Sequence, residues 1–187
     1  MALLKHHPWY TSRWREKLKN TPASQQTELV FMLGTAWADE IRREGHNRSE
    51  WHYIYWPFKP KGEPDSIQVK PPARDNILIG WITNERTVKA GFQSADGAVA
   101  LTWLFHLASD IHQPLHTAQL FTAEYPNGDR GGNEICIRPA EGRRAINLHA
   151  FWDGVIISSS NVSHLQKRSS KTYRNICATS AYGAFGR

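Results

Sequence analysis

The chain has 187 residues, of which 40% are hydrophobic, and it carries a formal net charge of +6 with a pI near 9.5. This length and composition allow one domain with a substantial core and give no sign of a second. The positive charge predicts attraction to polyanions such as nucleic acid or anionic lipid. Only Cys136 and Cys177 are present, which permits one disulfide and excludes a zinc site of four thiolates.

The sequence carries little sign of membrane insertion or export. No apolar run reaches the length of a membrane span, and the apolar stretch in MALLKHHPWY is too short for a signal peptide. Two sequons, at Asn47 and Asn161, would accept glycan only in a secretory pathway. We therefore expect no membrane span and no export signal in the chain as given.

The first half of the chain predicts helices separated by a Pro-rich segment. Apolar residues recur at helical spacing over 28–43, 76–90 and 94–111, and the third of these helices begins with a capping Ser94 or Asp96 and ends near Pro114. Residues 59–74 are rich in proline and lack periodicity, which indicates an irregular loop. His106 and Asp110 fall on the predicted buried side of the third helix.

The second half of the chain predicts less regular structure. Residues 125–133 (YPNGDRGGN) are typical of turns, 134–138 and the residues near Arg144 predict a small hairpin, and 148–157 predict another helix. After residue 157 the sequence is Ser-rich and basic without periodicity. We predict a mainly α, single-domain fold over 1–157 with one small β-hairpin excursion, followed by a poorly ordered tail over 158–187.

Potential metal ligands cluster in the segments WLFHLASDIHQPLH and NLHAFWD. His106 and Asp110 are four residues apart, as are His149 and Asp153, so each pair projects from one face of a helix and can bind one cation. For a single pair, a simpler interpretation needs no metal. The carboxylate would pair with an Arg or His, and the histidine would hydrogen-bond a backbone carbonyl. Two pairs together with His116 favour an open zinc site of His and Asp ligands.

Two more candidates lie earlier in the chain, each next to a tryptophan. Asp39 occurs in WADEIRR and His52 in WHYIYWP. Taken alone, Asp39 is typical of a solvated helix carboxylate and His52 of a packed strand histidine. His112 lies only two residues from Asp110 and is predicted to stay at the surface or behind the ligands. Four further histidines, His6, His7, His46 and His164, are predicted to lie at the surface.

In their order along the chain, these motifs resemble those of a known family. WAD-x-IR, WHY, H-x-x-x-D-x-H-Q-P-L-H, GD-x-GGN and NLH-x-x-WD together resemble the zinc-dependent S1/P1 nucleases over residues 3–157. The resemblance implies a mostly helical fold of the phospholipase C and nuclease type, with three zinc ions in one cleft. It also implies cleavage of single-stranded DNA and RNA to 5′-phosphorylated products, removal of terminal 3′-phosphates, a monomer, and a secreted or periplasmic location.

The resemblance also implies roles for individual residues. Zinc ligands would be Asp39, His52 and His106 at one site and His116, His149 and Asp153 at another, with Asp110 bridging to a neighbouring ion. Tyr53 would stack on a base, although core packing is its simpler interpretation. From the residues themselves, Gly128, Gly131 and Gly132 of GDRGGN are expected to let backbone amides approach a phosphate, with Asn133 as a donor at the cleft edge; a plain hairpin turn is an equally good interpretation.

The chain departs from the family pattern in two places. The family usually has an Asp that bonds the base at the position of Tyr55, so base preference is expected to be weakened or changed. The family's amino-terminal ligands have no counterpart, and LLKHHPWYTSRW and the segment from Ser158 predict a chain truncated at both ends. Two of the three zinc sites thus keep their ligands. The alternatives left open are a zinc-dependent phospholipase C and a non-catalytic remnant that binds zinc or nucleic acid.

Overall fold

A computed structural model describes residues 2–42, 44–91, 93–138, 141–142 and 144–155. The predicted tail over 158–187, Cys177, Asn161 and His164 lie outside these residues. The α-helices are α1 (Arg15–Lys19), α2 (Ala23–Glu40), α3 (Ile77–Lys89), α4 (Ala95–Asp110), α5 (Pro114–Thr117) and α6 (Leu148–Val155). Two-stranded sheets are formed by β1 (Trp56–Phe58) with β2 (Ala118–Leu120), and by β3 (Cys136–Ile137) with β4 (Ile146–Asn147). Other short helical turns span Leu3–His6, Tyr10–Trp14 and Ser49–His52. The mainly α prediction is confirmed.

Helix α4 is the centre of the fold and packs against both α2 and α3. The Ser94 hydroxyl accepts a hydrogen bond from Gly97 N at 3.1 Å and starts the helix, as predicted. Trp103 and Leu107 of α4 are buried against Trp37 of α2. Helix α4 ends at Asp110, one residue before the predicted end at residue 111, and Pro114 opens α5. Over the part of the chain that the structure describes, no helix is both long and apolar enough to cross a membrane.

The predicted boundaries of α2 are wrong at both ends. The helix begins at Ala23 rather than near Glu28, because Pro22 has an extended ψ of 139° and the polar residues after it continue into the helix. It ends at Glu40 rather than at residue 43, where Ile41 turns into the core and is fully buried. Asp39 therefore lies in the last turn of α2, close to α4.

Helix α3 confirms the prediction of a helix over 76–90, and the turn Ser49–His52 packs against it. The Asn76 side chain accepts from Leu78 N at 2.9 Å, which caps the helix. Gly80 lies against the ring of Trp51, and a Cβ there would lie 2.8 Å from the Trp51 Cγ. The Trp51 indole donates to Asp75 at 2.9 Å and packs on Trp103. These contacts hold the turn Ser49–His52 and place His52 beside α4.

The two small sheets connect the same region. β1 and β2 run parallel with Trp56 opposite Ala118, and Ile54 N donates to His116 O at 2.8 Å just before them. The predicted hairpin is confirmed, because β3 and β4 are antiparallel with Cys136 opposite Asn147. Residues 59–74 contain neither helix nor strand, as predicted. Three of these strands are close in sequence to a histidine: His52 precedes β1, His116 precedes β2, and His149 follows β4.

The prediction that His7 lies at the surface is wrong. Its side chain is buried, stacks on Trp14 at a centroid distance of 4.4 Å and meets Trp37 edge-on. The turn Leu3–His6 directs His7 inward, where its Nδ1 accepts from Trp9 N. Burial, with the nearby charge of His46, lowers the pKa of His7 to about 4. The neutral ring therefore serves as core, while His6 and His46 are exposed as predicted.

Candidate metal centre

Three side chains from separate parts of the chain converge beside α4. Asp39 comes from the end of α2, His52 from the end of the turn Ser49–His52, and His106 from the inner face of α4. Their ligand atoms all lie within 4.8 Å of one another. His106 Nε2 lies 2.8 Å from His52 Nδ1 and 3.8 Å from Asp39 Oδ1. We call these residues the first ligand set.

A second ligand set consists of His116 on α5 with His149 and Asp153 on α6. Its ligand atoms also lie within 4.8 Å of one another. His116 Nε2 is 3.7 Å from Asp153 Oδ1, and His149 Nε2 is 3.5 Å from Asp153 Oδ2. The two imidazole rings are nearly parallel, with centroids 4.8 Å apart. The spacing of four residues between His149 and Asp153 puts both on one face of α6, as predicted.

Asp110, the last residue of α4, joins the two sets. Its Oδ2 lies 2.9 Å from His106 Nε2 and 3.1 Å from His52 Nδ1 in the first set. The same oxygen lies 3.6 Å from His116 Nδ1 in the second. The spacing of four residues between His106 and Asp110 accounts for the first of these contacts. A single buried carboxylate oxygen thus faces histidines of both sets.

Three of the four histidines are oriented by main-chain carbonyls. The Nδ1 atoms of His106, His116 and His149 donate to the carbonyl oxygens of Thr35, His52 and Gly131, at 2.8, 2.7 and 2.8 Å. A carbonyl can only accept, so each Nδ1 carries the proton. In His106 and His149 this directs Nε2 into the cluster, and His116 Nε2 faces Asp153. The second nitrogen of a zinc-bound histidine is usually held in this way.

The electrostatics of the cluster are those of tightly coupled groups. Burial lowers the pKa of His106, but the hydrogen bond and charge of Asp110 outweigh it, so the pKa lies above its usual value. Burial likewise raises the pKa of Asp110, yet hydrogen bonds from His106 and His52 hold it well below its usual range. Asp110 is therefore an anion at any ordinary pH.

The donor set fits divalent metal ions. Three donor atoms lie close enough for their lone pairs to repel one another: His52 Nδ1, His106 Nε2 and Asp110 Oδ2. A shared proton or a bound cation must offset this repulsion. Imidazole and carboxylate are ordinary ligands of zinc. The first set with Asp110 offers two histidines and two carboxylates, and the second offers two histidines and one carboxylate, which leaves room for water or substrate.

The prediction that glycine amides of GDRGGN approach a phosphate is wrong for all three, because Gly128 N donates to Tyr125 O at 3.0 Å and the other two amides bond a buried carboxylate. Gly131 N and Gly132 N donate to the buried carboxylate of Asp129, at 3.1 and 3.0 Å. A free backbone amide is therefore not available at any of the three glycines. Asp129 was not among the candidates from the sequence, although an Asp shortly before two glycines is typical of a side chain that bonds the amides ahead of it.

The other residues singled out in the sequence lie around the cluster. Tyr53 is half-buried and its ring stacks on Tyr55, with centroids 4.3 Å apart. Both rings line a cleft with Lys70 and Gln119. Asn133 is exposed, and its amide donates to Arg130 O at 2.9 Å. His112 is exposed and bonds Ala108 O, as expected for a residue outside the ligand sets. His52 ends a helical turn rather than lying in a strand.

Comparison with known proteins agrees with this geometry. The chain is similar to Endonuclease 4 of Arabidopsis thaliana, with 44% identity over 160 residues that cover 80% of this chain and 50% of the relative. Endonuclease 2 of the same plant is 29% identical over 151 residues, which cover 74% of this chain and 47% of the relative. The chain spans about half the length of the curated relatives that it matches most extensively.

A sequence profile described as S1/P1 Nuclease matches residues 11–184, which is most of the chain. The match includes both ligand sets and the Asp110 that joins them. The chain belongs to the S1/P1 nuclease family.

Proposed function

We propose that this protein is a zinc-dependent nuclease that hydrolyses phosphodiester bonds of single-stranded DNA and RNA to 5′-phosphorylated products, and that it also removes terminal 3′-phosphates. The observation that carries the proposal is the pair of ligand sets that meet at the buried Asp110 carboxylate. Family membership and the endonuclease names of the relatives support phosphodiester hydrolysis. We further propose that it acts as a monomer outside the cytoplasm.

The chain's own residues would hold two cations. Asp39, His52, His106 and Asp110 would bind one, and His116, His149 and Asp153 would bind the other. Bound zinc supplies Lewis-acid chemistry, because it polarises phosphoryl oxygens and lowers the pKa of a coordinated water to about 7. Asp110 remains anionic and orients His52 and His106 toward the same point, so little reorganisation is needed when substrate arrives.

Preference for single strands would come from the aromatic cleft beside His52. A base can stack on a tyrosine ring only when it is unstacked from its neighbours, which a duplex prevents. Tyr53 directly follows a residue of the first ligand set, so a base on its ring would hold the adjacent phosphate near the cations. Tyr55 covers one face of Tyr53 and carries no charge to select among bases. We expect weak base preference.

The decisive experiment is hydrolysis of a labelled single-stranded DNA and of the same sequence as a duplex, with zinc and with chelator. The proposal predicts cleavage of the single strand, slower cleavage of the duplex, and loss of both with chelator. The variant His149→Ala, which removes a ligand of the second set, should abolish cleavage. Its matched control is His112→Ala, an exposed histidine outside both sets, which should cleave like the wild type. Cleavage that survives chelation or His149→Ala would contradict the proposal.

The two alternatives give other results in the same assay. A zinc-dependent phospholipase C would release phosphocholine from phosphatidylcholine vesicles and leave DNA intact. A remnant that binds without turnover would hold zinc and retain single-stranded DNA in a gel shift, without cleaving it. The family match favours the nuclease over the phospholipase C, and the cleavage assay separates the nuclease from the remnant.

A further inference from the structure

The loop GDRGGN, residues 128–133, is organised by one buried carboxylate. Asp129 is only 3% exposed, and its two oxygens accept three main-chain hydrogen bonds, from Leu120 N at 2.9 Å, Gly131 N at 3.1 Å and Gly132 N at 3.0 Å. Asp129 N in turn donates to Leu120 O at 3.0 Å. A buried carboxylate that is satisfied by backbone amides fixes the path of the chain around it.

This path is one that the backbone does not adopt readily. Gly128, Arg130, Gly131 and Gly132 all have positive φ, of 92°, 54°, 61° and 78°. The left-handed conformation is unfavourable for Arg130, the only residue of the four with a side chain. A Cβ on Gly131 would meet Leu115 O and the ring of Tyr55. The bonds from Asp129 offset this cost and hold the loop in one conformation.

The loop so fixed leads directly to the second ligand set. The amide of Gly131 bonds Asp129, and its carbonyl oxygen accepts a hydrogen bond from His149 Nδ1 at 2.8 Å. Gly132 O accepts from His149 N at 3.3 Å. On its other side, Asp129 is bonded to both the N–H and the C=O of Leu120, at the end of the strand that follows His116 on α5. One side chain therefore connects the elements that carry His116 and His149.

We propose that Asp129 is a positioning residue for the second ligand set. It holds the Gly131 carbonyl where it fixes the Nδ1–H form of His149, and this leaves Nε2 as the lone-pair donor toward Asp153 and a cation. The inference deepens the proposed function, since it rests on the second set as a metal site. The Asp129 carboxylate is buried and its oxygens are bonded to backbone amides, so it would act on this set only through the Gly131 carbonyl.

The test is a titration of the full chain with Zn²⁺ against a chromogenic chelator, for the wild type and Asp129→Asn. An amide presents one acceptor oxygen where the carboxylate presents two, and its NH₂ faces a backbone donor. We expect zinc affinity of the second set to fall about 10- to 100-fold and that of the first set to stay unchanged. The matched control is Glu134→Gln, an exposed acid at the end of the same loop, which should titrate like the wild type.

Double variants identify the set that is affected. In the His149→Ala background, Asp129→Asn should lower zinc affinity little further, because both changes weaken the same set. In the Asp39→Ala background, the losses of zinc affinity from the two changes should add fully. A second, metal-free readout is the tautomer of His149, from ¹⁵N chemical shifts of its imidazole. The wild type should show the Nδ1–H form, and Asp129→Asn should show a mixture.

Each result decides the proposal. Unchanged zinc affinity in Asp129→Asn, or equal loss from both sets, would overturn it. If Asp129→Asn fails to fold, Gly131→Ala displaces the same carbonyl through Leu115 O, and an unchanged second set in that variant would also overturn it. Selective loss of zinc in a protein that cleaves no nucleic acid would uphold the positioning role and refute only the proposed function.

Discussion

At the scale of single residues, two buried groups have opposite roles. Asp110 is an anion that faces His52, His106 and His116, and its position at the end of α4 brings one oxygen near histidines of both ligand sets. His7 is neutral, and its ring replaces an apolar side chain between Trp14 and Trp37. Burial penalises the charged form of each, but only Asp110 has hydrogen-bond donors that reverse the penalty.

Asp110→Asn should weaken zinc binding at the first ligand set and reduce cleavage of single-stranded DNA by about 100-fold. The amide has no charge and cannot hold His52 and His106 as the carboxylate does. Steady-state rates at saturating zinc measure the effect. Asp96→Asn, an exposed acid in the first turn of the same helix, should retain nearly full activity. Wild-type turnover in Asp110→Asn would contradict the role of Asp110.

His7 should make the fold less stable as the pH falls from 6.5 to 4. Its pKa is about 4 in the fold and near 6.5 in the unfolded chain, so in this window the unfolded chain binds more protons and unfolding is favoured. The stabilisation is fully present above pH 6.5, and about 3 kcal/mol is lost by pH 4.

Urea unfolding at several pH values, in the wild type and in His7→Gln, measures this difference. His7→Gln should lose stability at pH 7 through poorer packing but should have a flatter pH profile below 6.5. The exposed His6→Gln is the control and should follow the wild type. Parallel profiles for the wild type and His7→Gln would refute the assignment.

At the scale of elements, the site depends on how the ends of α2, α4 and α6 meet. Helical periodicity predicted α3 and α4, with Ser94 as an expected cap of α4. The β3–β4 hairpin was predicted from the turn residues over 125–133 and the short strand pattern after them. The i, i+4 pairs on α4 and α6 could be predicted from the helical periodicity. Asp39 and His52 could be assigned only through their motifs, since nothing local indicates what lies beside them.

What the sequence did not predict depends on tertiary contacts. His7 is polar and near the start of the chain, and only the packing of Trp14 and Trp37 around it explains its burial. The GDRGGN loop is typical of turns, yet the direction of its amides is decided by Asp129. The early start of α2 follows from Pro22, whose extended backbone permits a helix to begin directly after it.

Gly80→Ala should destabilise the protein although alanine favours helix. A Cβ at this position would lie 2.8 to 3.0 Å from three atoms of Trp51, whose indole is fixed by Asp75. We expect a net loss of about 1 to 2 kcal/mol, since overpacking outweighs the gain of about 1 kcal/mol in helix propensity. Gly154→Ala on α6, where a Cβ meets none of the described residues within 4 Å, is the matched control and should be neutral or stabilising. Thermal unfolding compares them, and equal stabilisation in both would contradict the packing of α3 on Trp51.

At the scale of the whole molecule, the core and the two ligand sets share the same helices. Trp37, Trp103 and Leu107 are buried one to three residues from Asp39, His106 and Asp110. Binding of cations and folding are therefore coupled, because the donors are brought together only in the folded chain. The net charge of +6 adds a long-range attraction for nucleic acid that does not depend on sequence.

Removal of metal should lower the thermal stability of the protein. A cation that binds only the folded chain, at 100 times its dissociation constant, adds about 2.7 kcal/mol, which corresponds to roughly 5 to 10 °C for a domain of this size. Calorimetry with zinc and with chelator measures the shift. In a His106→Ala, His149→Ala double variant the shift should nearly disappear. Equal melting temperatures with and without zinc in the wild type would argue against metal sites in the fold.

Zinc content per chain, by elemental analysis after extensive dialysis, is the most direct evidence for or against a metal centre. Two ligand sets joined by Asp110 predict at least two zinc ions in the wild type, and one fewer in His149→Ala. The exposed His112→Ala should match the wild type. Less than one zinc per chain, or a content that His149→Ala leaves unchanged, would contradict the assignment of these residues as a metal centre.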